Sequence, residues 1–167
     1  MTDFEEIYAT YFNDVYLYIR RLSGNEHIAE EITSDTFFKA LHAIDHFRGD
    51  CDIRVWLCQI AKNCYFSYIK KAERIDSLEE ISPTTVYGDE PDEQLIAREE
   101  ARRIQKILHE IPDPYKEVFM WRVYAELSFK QIGTLFHKSE NWACVTYHRA
   151  RGKIKERLEE WNHEKSL

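Results

Sequence analysis

An all-α fold of two small helical domains joined by an acidic linker is what this chain of 167 residues predicts. Three observations carry the prediction. Apolar residues recur at steps of three and four through the first 71 residues and again from Leu95 onward, which is the period of a helix with one buried face. Between these stretches, residues 72–94 lose the period and collect Ser, Pro, Gly and carboxylates, as a connector does. Only five glycines and four prolines are present, too few for a loop-rich or all-β architecture, and a 44% hydrophobic composition is enough to fill a core. The expected boundaries are therefore 1–71, 72–94 and 95–167.

The first unit contains three helices. Phe4, Ile7, Tyr8, Tyr11, Phe12, Val15, Ile19 and Leu22 make one stripe, and Leu22-Ser23-Gly24-Asn25 stops that helix and starts the next. The second places Ala29, Ile32, Thr36, Ala40, Ile44 and Phe47 inward, leaving Glu30, Glu31, Ser34, Asp35 and Lys39 largely on other faces. After the turn FRGDCD, a third helix runs through IRVWLCQIAKNCYFSYIKK. Three helices with short connections can bury these stripes against one another.

In the second unit the period runs from Leu95 through Ala101, Ile104, Ile107, Leu108 and Ile111, and Pro112 and Pro114 end it. A short helix follows over Tyr115 to Tyr124, with Val118, Phe119 and Val123 as core candidates. Ser128-Phe129-Lys130-Gln131 fits a capping box for another short helix burying Ile132 and Leu135. Gly133 there leaves room for a close helix crossing. The turn Phe136-His137-Lys138-Ser139 then leads into a last helix, with Ser139 as its cap and Ala143, Tyr147, Ala150, Ile154 and Leu158 facing inward. This is the layout of a helix-turn-helix. Its outward positions are Glu140, Asn141, Trp142, Cys144, Val145, Thr146, His148, Arg149 and Arg151.

Charge distribution favours a nucleic-acid contact at that end. The net charge is −7, but residues 1–71 hold 8 Lys and Arg against 11 Asp and Glu, residues 72–100 hold 2 against 10, and residues 101–167 hold 13 against 9. The last third is thus net +4, and a local basic face is what phosphate contacts need. Base edges are met mainly by the front of a recognition helix, while basic residues hold phosphates. Asn141 can bond an adenine edge, and Thr146 or Val145 can touch a thymine methyl. The plainer alternative is a helical hairpin whose charged end is merely solvated.

At this point the residues resemble bacterial sigma factors of the extracytoplasmic-function (ECF) group, over nearly the whole chain except the linker. Ile111-Pro112, Lys116-Glu117-Val118-Phe119, Ala125-Glu126-Leu127-Ser128 and His148-Arg149-Ala150-Arg151 match, in order, motifs of that group's region 4. HIAEEITSDTFFKAL resembles region 2.2, usually A-E-D-L-x-Q-E-x-F. Glu31, Ser34 and Asp35 stand at its polar positions and Phe37 at its aromatic one. FRGDCDIRVWLCQIAKNCYFSYIKK resembles regions 2.3 and 2.4.

The resemblance implies a fold, a function and sites. The fold is a region 2-like helical bundle and a region 4-like helix-turn-helix domain. The function is binding of core RNA polymerase and promoter-specific initiation, with no catalysis and no cofactor of its own. Glu31, Ser34, Asp35 and Phe37 would dock on the β′ clamp helices, and region 4 would meet the β flap. Gly49, Asp50, Cys51 and Asp52 would form the pocket for a base taken from the stack at the −10 element, with Asn63 alongside and Trp56 packing at the junction or in the core. Arg54, Lys62, Lys70 and Lys71 are candidates for backbone phosphates there. Ser139, Asn141, Trp142, Cys144, Val145, Thr146, His148, Arg149 and Arg151 would meet the −35 element. The group's usual Lys and Arg are replaced by Cys144 and Thr146, which implies a −35 preference of this chain's own. An anti-sigma factor is the implied regulatory partner.

Other classes fit less well. A free-standing helix-turn-helix regulator accounts for the second unit but leaves the first unit's matches as coincidence. No Gly-rich phosphate loop, HExxH or GxSxG spacing supports an enzyme. Cys51, Cys58, Cys64 and Cys144 form no CxxC pair and have no histidines at zinc-finger spacing, so reduced thiols are expected ahead of a metal site or redox switch. No apolar run approaches the roughly 18 residues of a membrane span. The opening MTDFEEIYATYF is acidic and amphipathic, unlike a secretory signal, so a cytoplasmic protein is expected without direct membrane insertion.

Overall fold

A computed structural model describes residues 3–78 and 92–165. Every regular element among them is helical: α1 (Phe4–Ser23), α2 (Glu26–Ala43), a 3-10 turn (Ile44–His46), α3 (Ile53–Leu78), α4 (Asp92–Glu110), α5 (Tyr115–Val123), α6 (Phe129–Leu135) and α7 (Glu140–Lys165).

Helices α1, α2 and α3 pack mutually. Asp3 caps α1, its carboxylate accepting from the Glu5 amide at 3.1 Å, and Asn25 caps α2 by accepting from the Ile28 amide at 3.0 Å. Between them Gly24 takes φ 68°, a left-handed conformation open to glycine, and its amide donates to the Arg20 carbonyl at 2.9 Å. The core holds Val15, Tyr18, Ile19, Leu22, Ala29, Ile32, Ala40, Leu57, Cys58 and Ala61. Each large aliphatic side chain fully removed from water here contributes roughly 1.5–3 kcal/mol.

The second unit winds α4, α5 and α6 against α7. Its core is Ile107, Leu108, Ile111, Val118, Phe119, Leu127, Ile132, Ala143, Ala150 and Ile154. The expected capping box is formed: the Gln131 amide donates to Ser128 Oγ at 3.1 Å and the Ser128 amide to Gln131 Oε1 at 2.9 Å. Ser139 caps α7, accepting from the Trp142 amide at 3.0 Å. Gly133 permits a close approach, though of the turn rather than of another helix. A Cβ there would lie 2.8 Å from the carbonyl oxygens of Lys138 and Ser139.

Several boundaries differ from the sequence reading. Helix α2 ends at Ala43, so Ile44 and Phe47 belong to the 3-10 turn and the extended residue after it, both half-buried. Helix α3 continues to Leu78 and α4 starts at Asp92, so the ends of the expected 72–94 linker are helical. Residues 79–91 of that linker lie outside the described residues. Val123, expected in the core, is 38% exposed at the end of α5.

Candidate polymerase and promoter interfaces

The outer face of α2 presents Glu31, Ser34 and Asp35 to solvent, at the three- and four-residue steps that align side chains on one helical face. Phe38, 65% exposed, and Leu41, 49% exposed, continue the same stripe, and the Phe38 ring meets His42 edge-on at 4.8 Å. Sequence reasoning missed both. Phe37, expected on this face, is 3% exposed and sits among Phe4, Tyr8 and Phe12, with ring centroids 5.0–6.4 Å away. It fastens α2 to α1 and is not available to a partner. Of the adjacent phenylalanines, one step of helix, about 100°, decides which is buried, and the spacing from Thr33 and Thr36 puts Phe37 inward.

The loop before α3 carries Gly49 at φ 77°, with open space around its α-carbon, flanked by exposed Asp50 and Asp52. Cys51 is half-buried, and its thiol pKa is raised by burial first and then by the carboxylates of Asp50 and Asp52. Asp52 starts α3: its side chain accepts from the Arg54 amide at 3.3 Å and its carbonyl from the Trp56 amide at 3.0 Å. Trp56 is half-buried and lies on Phe47, ring centroids 5.1 Å apart, so it packs and still borders open space.

That space is a cleft of about 720 Å³. On one side it is lined by His46, Phe47, Arg48, Asp50, Cys51, Trp56 and Gln59, and on the other by Thr134, Leu135 and His137 of the helix-turn-helix. The expected −10 loop therefore faces the end of α6 and the turn, while none of the α7 residues expected to meet DNA lines the cleft. Further along α3, Asn63, Lys70 and Lys71 are exposed. Arg54 and Lys62 are not free: the Arg54 guanidinium donates to the Ala125 carbonyl and lies 3.8 Å from Asp14, and the Lys62 ammonium pairs with Glu117. Nothing in the sequence signalled the Arg54–Ala125 and Lys62–Glu117 contacts, whose partners are more than fifty positions apart.

On α7 the structure exposes Ser139, Asn141, Val145, His148, Arg149 and Arg151, and half-buries Trp142 and Cys144. Trp142 packs on Phe136 with centroids 5.3 Å apart, closing the turn. Thr146 is a correction. It is 5% exposed and faces the core, because it lies three residues after Ala143 and four before Ala150, both fully buried. Its hydroxyl disguised a core position. The front of α7 therefore offers Asn141, Cys144, Val145 and His148 as its outward stripe.

All four cysteines are free, and burial pushes the Cys58 thiol up to about 12. No group of metal-ligating side chains occurs among the described residues, and no described helix is long and apolar enough to cross a membrane.

Residues 7–75 match the profile of Sigma-70 region 2. Three relatives from Bacillus subtilis (strain 168) align over almost the whole chain. RNA polymerase sigma factor YlaC is 26% identical over 168 residues, covering 98% of this chain and 96% of its own. ECF RNA polymerase sigma factor SigM is 26% identical over 155 residues, covering 90% and 92%, and SigW is 28% identical over 165, covering 93% and 88%. Two solved structures share the fold, each with a TM-score of 0.62. One is CnrH in complex with the cytosolic domain of CnrY, 21% identical and covering 94% of this chain and 88% of that one. The other is the sigma factor RpoE in complex with the anti-sigma factor NepR from Bartonella quintana, 18% identical and covering 95% and 98%. Helical bundle, capped helix-turn-helix and end-to-end sequence likeness agree: residues 7–75 match Sigma-70 region 2, and over nearly its whole length the chain is similar to RNA polymerase sigma factors of the ECF group.

Proposed function

We propose that this sigma factor docks on core RNA polymerase through the outer face of α2 and directs promoter-specific initiation, reading the −10 element with the Gly49–Asp52 loop and α3 and the −35 element with α7. The observation that carries the docking site is the exposed stripe Glu31, Ser34, Asp35, Phe38 and Leu41. Large apolar side chains beside carboxylates on one solvent-facing helix suit a partner that presents a basic, partly apolar helical surface. An apolar centre supplies affinity, and the carboxylates steer and orient the encounter. The clamp helices of the β′ subunit are the partner surface this stripe fits, with region 4 meeting the β flap.

For the −10 element, the turn around Gly49 leaves its backbone open to close approach, and Trp56 with Phe47 offers aromatic surface beside it. On the −35 side, Asn141 and Val145 stand where base edges are met, while Arg149 and Arg151 stand where phosphates run. The protein works in the cytoplasm, where polymerase and promoters are. An anti-sigma factor is the regulatory partner supported by the two solved complexes, in which CnrH is bound to CnrY and RpoE to the anti-sigma factor NepR.

Titration of fluorescently labelled protein with core RNA polymerase tests this reading. Saturable binding that Glu31→Lys with Asp35→Lys abolishes is the expected result. No binding by the folded wild-type chain would overturn it and leave the free-standing regulator in its place.

A further inference from the structure

Four residues of α7 stand clear of their own unit on one line. Ala143, Thr146, Ala150 and Ile154 are buried. At roughly 100° per residue, the opposite side of the helix carries Asn141, Val145, His148 and Gly152 within about 60° of one another. All four are exposed. Arg149 and Arg151, also exposed, flank that line, one on each side and roughly 80° from it. No Lys or Arg occurs from Ser139 to His148, so the front of the line holds no cation to fork onto a guanine. A neutral line between two arginines suits a helix lying in a groove with a phosphate wall on either side.

Gly152 is the member of that line with no structural reason of its own. Glycine inside a helix weakens it relative to alanine. Gly24 and Gly49 take positive φ, and Gly133 lies under the turn, where a Cβ would meet the Lys138 and Ser139 carbonyls at 2.8 Å. Gly152 lies within α7, and a Cβ there would meet nothing within 4 Å beyond its own helix. The fold does not require glycine here, which leaves the space to something outside the chain. Its place along α7 says what that is. Gly152 lies seven residues, about 10 Å, beyond Val145. A major groove is ~12 Å wide. With Val145 at the base edges, Gly152 stands at the groove wall, where the sugar-phosphate backbone runs.

We propose that α7 seats deep in the −35 major groove: Gly152 lets the sugar-phosphate backbone come against the helix, and that depth brings the Val145 methyls onto the C5-methyl of a thymine. The proposal rests on the assignment of α7 as the −35 reader. Val145 is 39% exposed, and covering its apolar surface with a thymine methyl is favourable. Asn141, four residues or about 6 Å before it, reaches a base about two steps away and fits adenine there.

Holoenzyme reconstituted with the full chain selects a −35 sequence from a promoter library. Each thymidine of that sequence is then replaced in turn by deoxyuridine, which removes only the methyl. One replacement should lower transcription by wild type roughly fivefold, the scale of a lost methyl contact. It should cost Val145→Ala nothing further. Gly152→Ala and Gly152→Leu should both raise the urea midpoint of the free protein, since each residue favours helix more than glycine. Both should nevertheless lower transcription from the selected promoter several-fold, leucine more than alanine, and change nothing on a promoter scrambled at −35. A purely structural role would move stability and transcription in the same direction. The proposal is overturned if no deoxyuridine costs activity, or if the Gly152 variants transcribe as wild type or lose equally on both promoters. Arg149→Ala with Arg151→Ala keeps two failures apart. Undiminished transcription by that variant sinks α7 as the −35 reader, whereas a loss there without the uridine and Gly152 effects sinks the deep seating alone.

Discussion

Tyr18 and Trp121 stack with ring centroids 5.6 Å apart and planes 16° from parallel, joining α1 to α5 across the two units. Tyr18 Oη is buried there and makes no hydrogen bond among the described residues, and its pKa is pushed well up, by burial above all. An unsatisfied buried hydroxyl costs about 1–3 kcal/mol. Tyr18→Phe keeps the ring and removes that cost, so the variant should unfold at an equal or higher urea midpoint. Trp121→Ala should lose about 3–5 kcal/mol. Equilibrium urea unfolding of both variants checks the pair.

The two adjacent phenylalanines of α2 should behave oppositely. Phe37→Ala empties a buried aromatic cluster and should cost about 3–5 kcal/mol of stability. Phe38→Ala removes an exposed ring and should change stability by no more than ~0.5 kcal/mol. If Phe38 anchors the polymerase contact, its loss should weaken core binding about tenfold or more, on the order of 1.4–2 kcal/mol. Thermal unfolding and core titration of the two variants separate these roles.

A similar contrast applies on α7. Thr146→Arg forces a cation into a site 5% exposed and should destabilise the second unit by about 3–5 kcal/mol. Val145→Ala is made on the surface and should leave unfolding within ~0.5 kcal/mol of wild type. Its effect should appear instead as a changed base preference at one −35 position, worth about 1 kcal/mol, the scale of a lost methyl contact. Transcription from a library of −35 sequences by reconstituted holoenzyme measures it.

His109 sits between Tyr65 and Phe66, with ring centroids 6.3 and 6.2 Å away. Burial, then the Lys116 charge, lowers its pKa below 6.5, against a smaller opposing effect of Glu73. The unfolded chain therefore binds a proton that the folded chain refuses. His109 contributes stability that is fully present above the unfolded pKa of about 6.5 and falls away as pH drops through the lowered folded value. Urea midpoints between pH 5 and 7.5 should decline toward acid in wild type and decline less in His109→Gln.

How much of this was readable beforehand follows from which forces are local. The caps at Ser128 and Ser139 and the stop at Gly24 are encoded within four residues, and each formed as expected. The stripes of α1 and of the second unit follow from period alone. Two inward-facing assignments failed by a single helical step. Phe37 beside Phe38 was read one position out of register, and Thr146 was placed outside because its hydroxyl looked like a reader. Both errors arise where residue type and helical phase disagree, and phase prevailed. The engagement of Arg54 and Lys62 by Ala125 and Glu117 was unreadable for another reason. It depends on how two separately amphipathic units dock, which no local pattern specifies.

The distribution of thiols has a practical outcome. Cys58 and Cys64 are sealed in the first unit, while Cys51 and Cys144 are partly accessible, one in the loop before α3 and the other on α7. The natural chain thus places one labelling position in each of its two units. A maleimide donor and acceptor attached there make a spectroscopic ruler without any engineered cysteine. Its energy transfer would report the separation of the two units in solution.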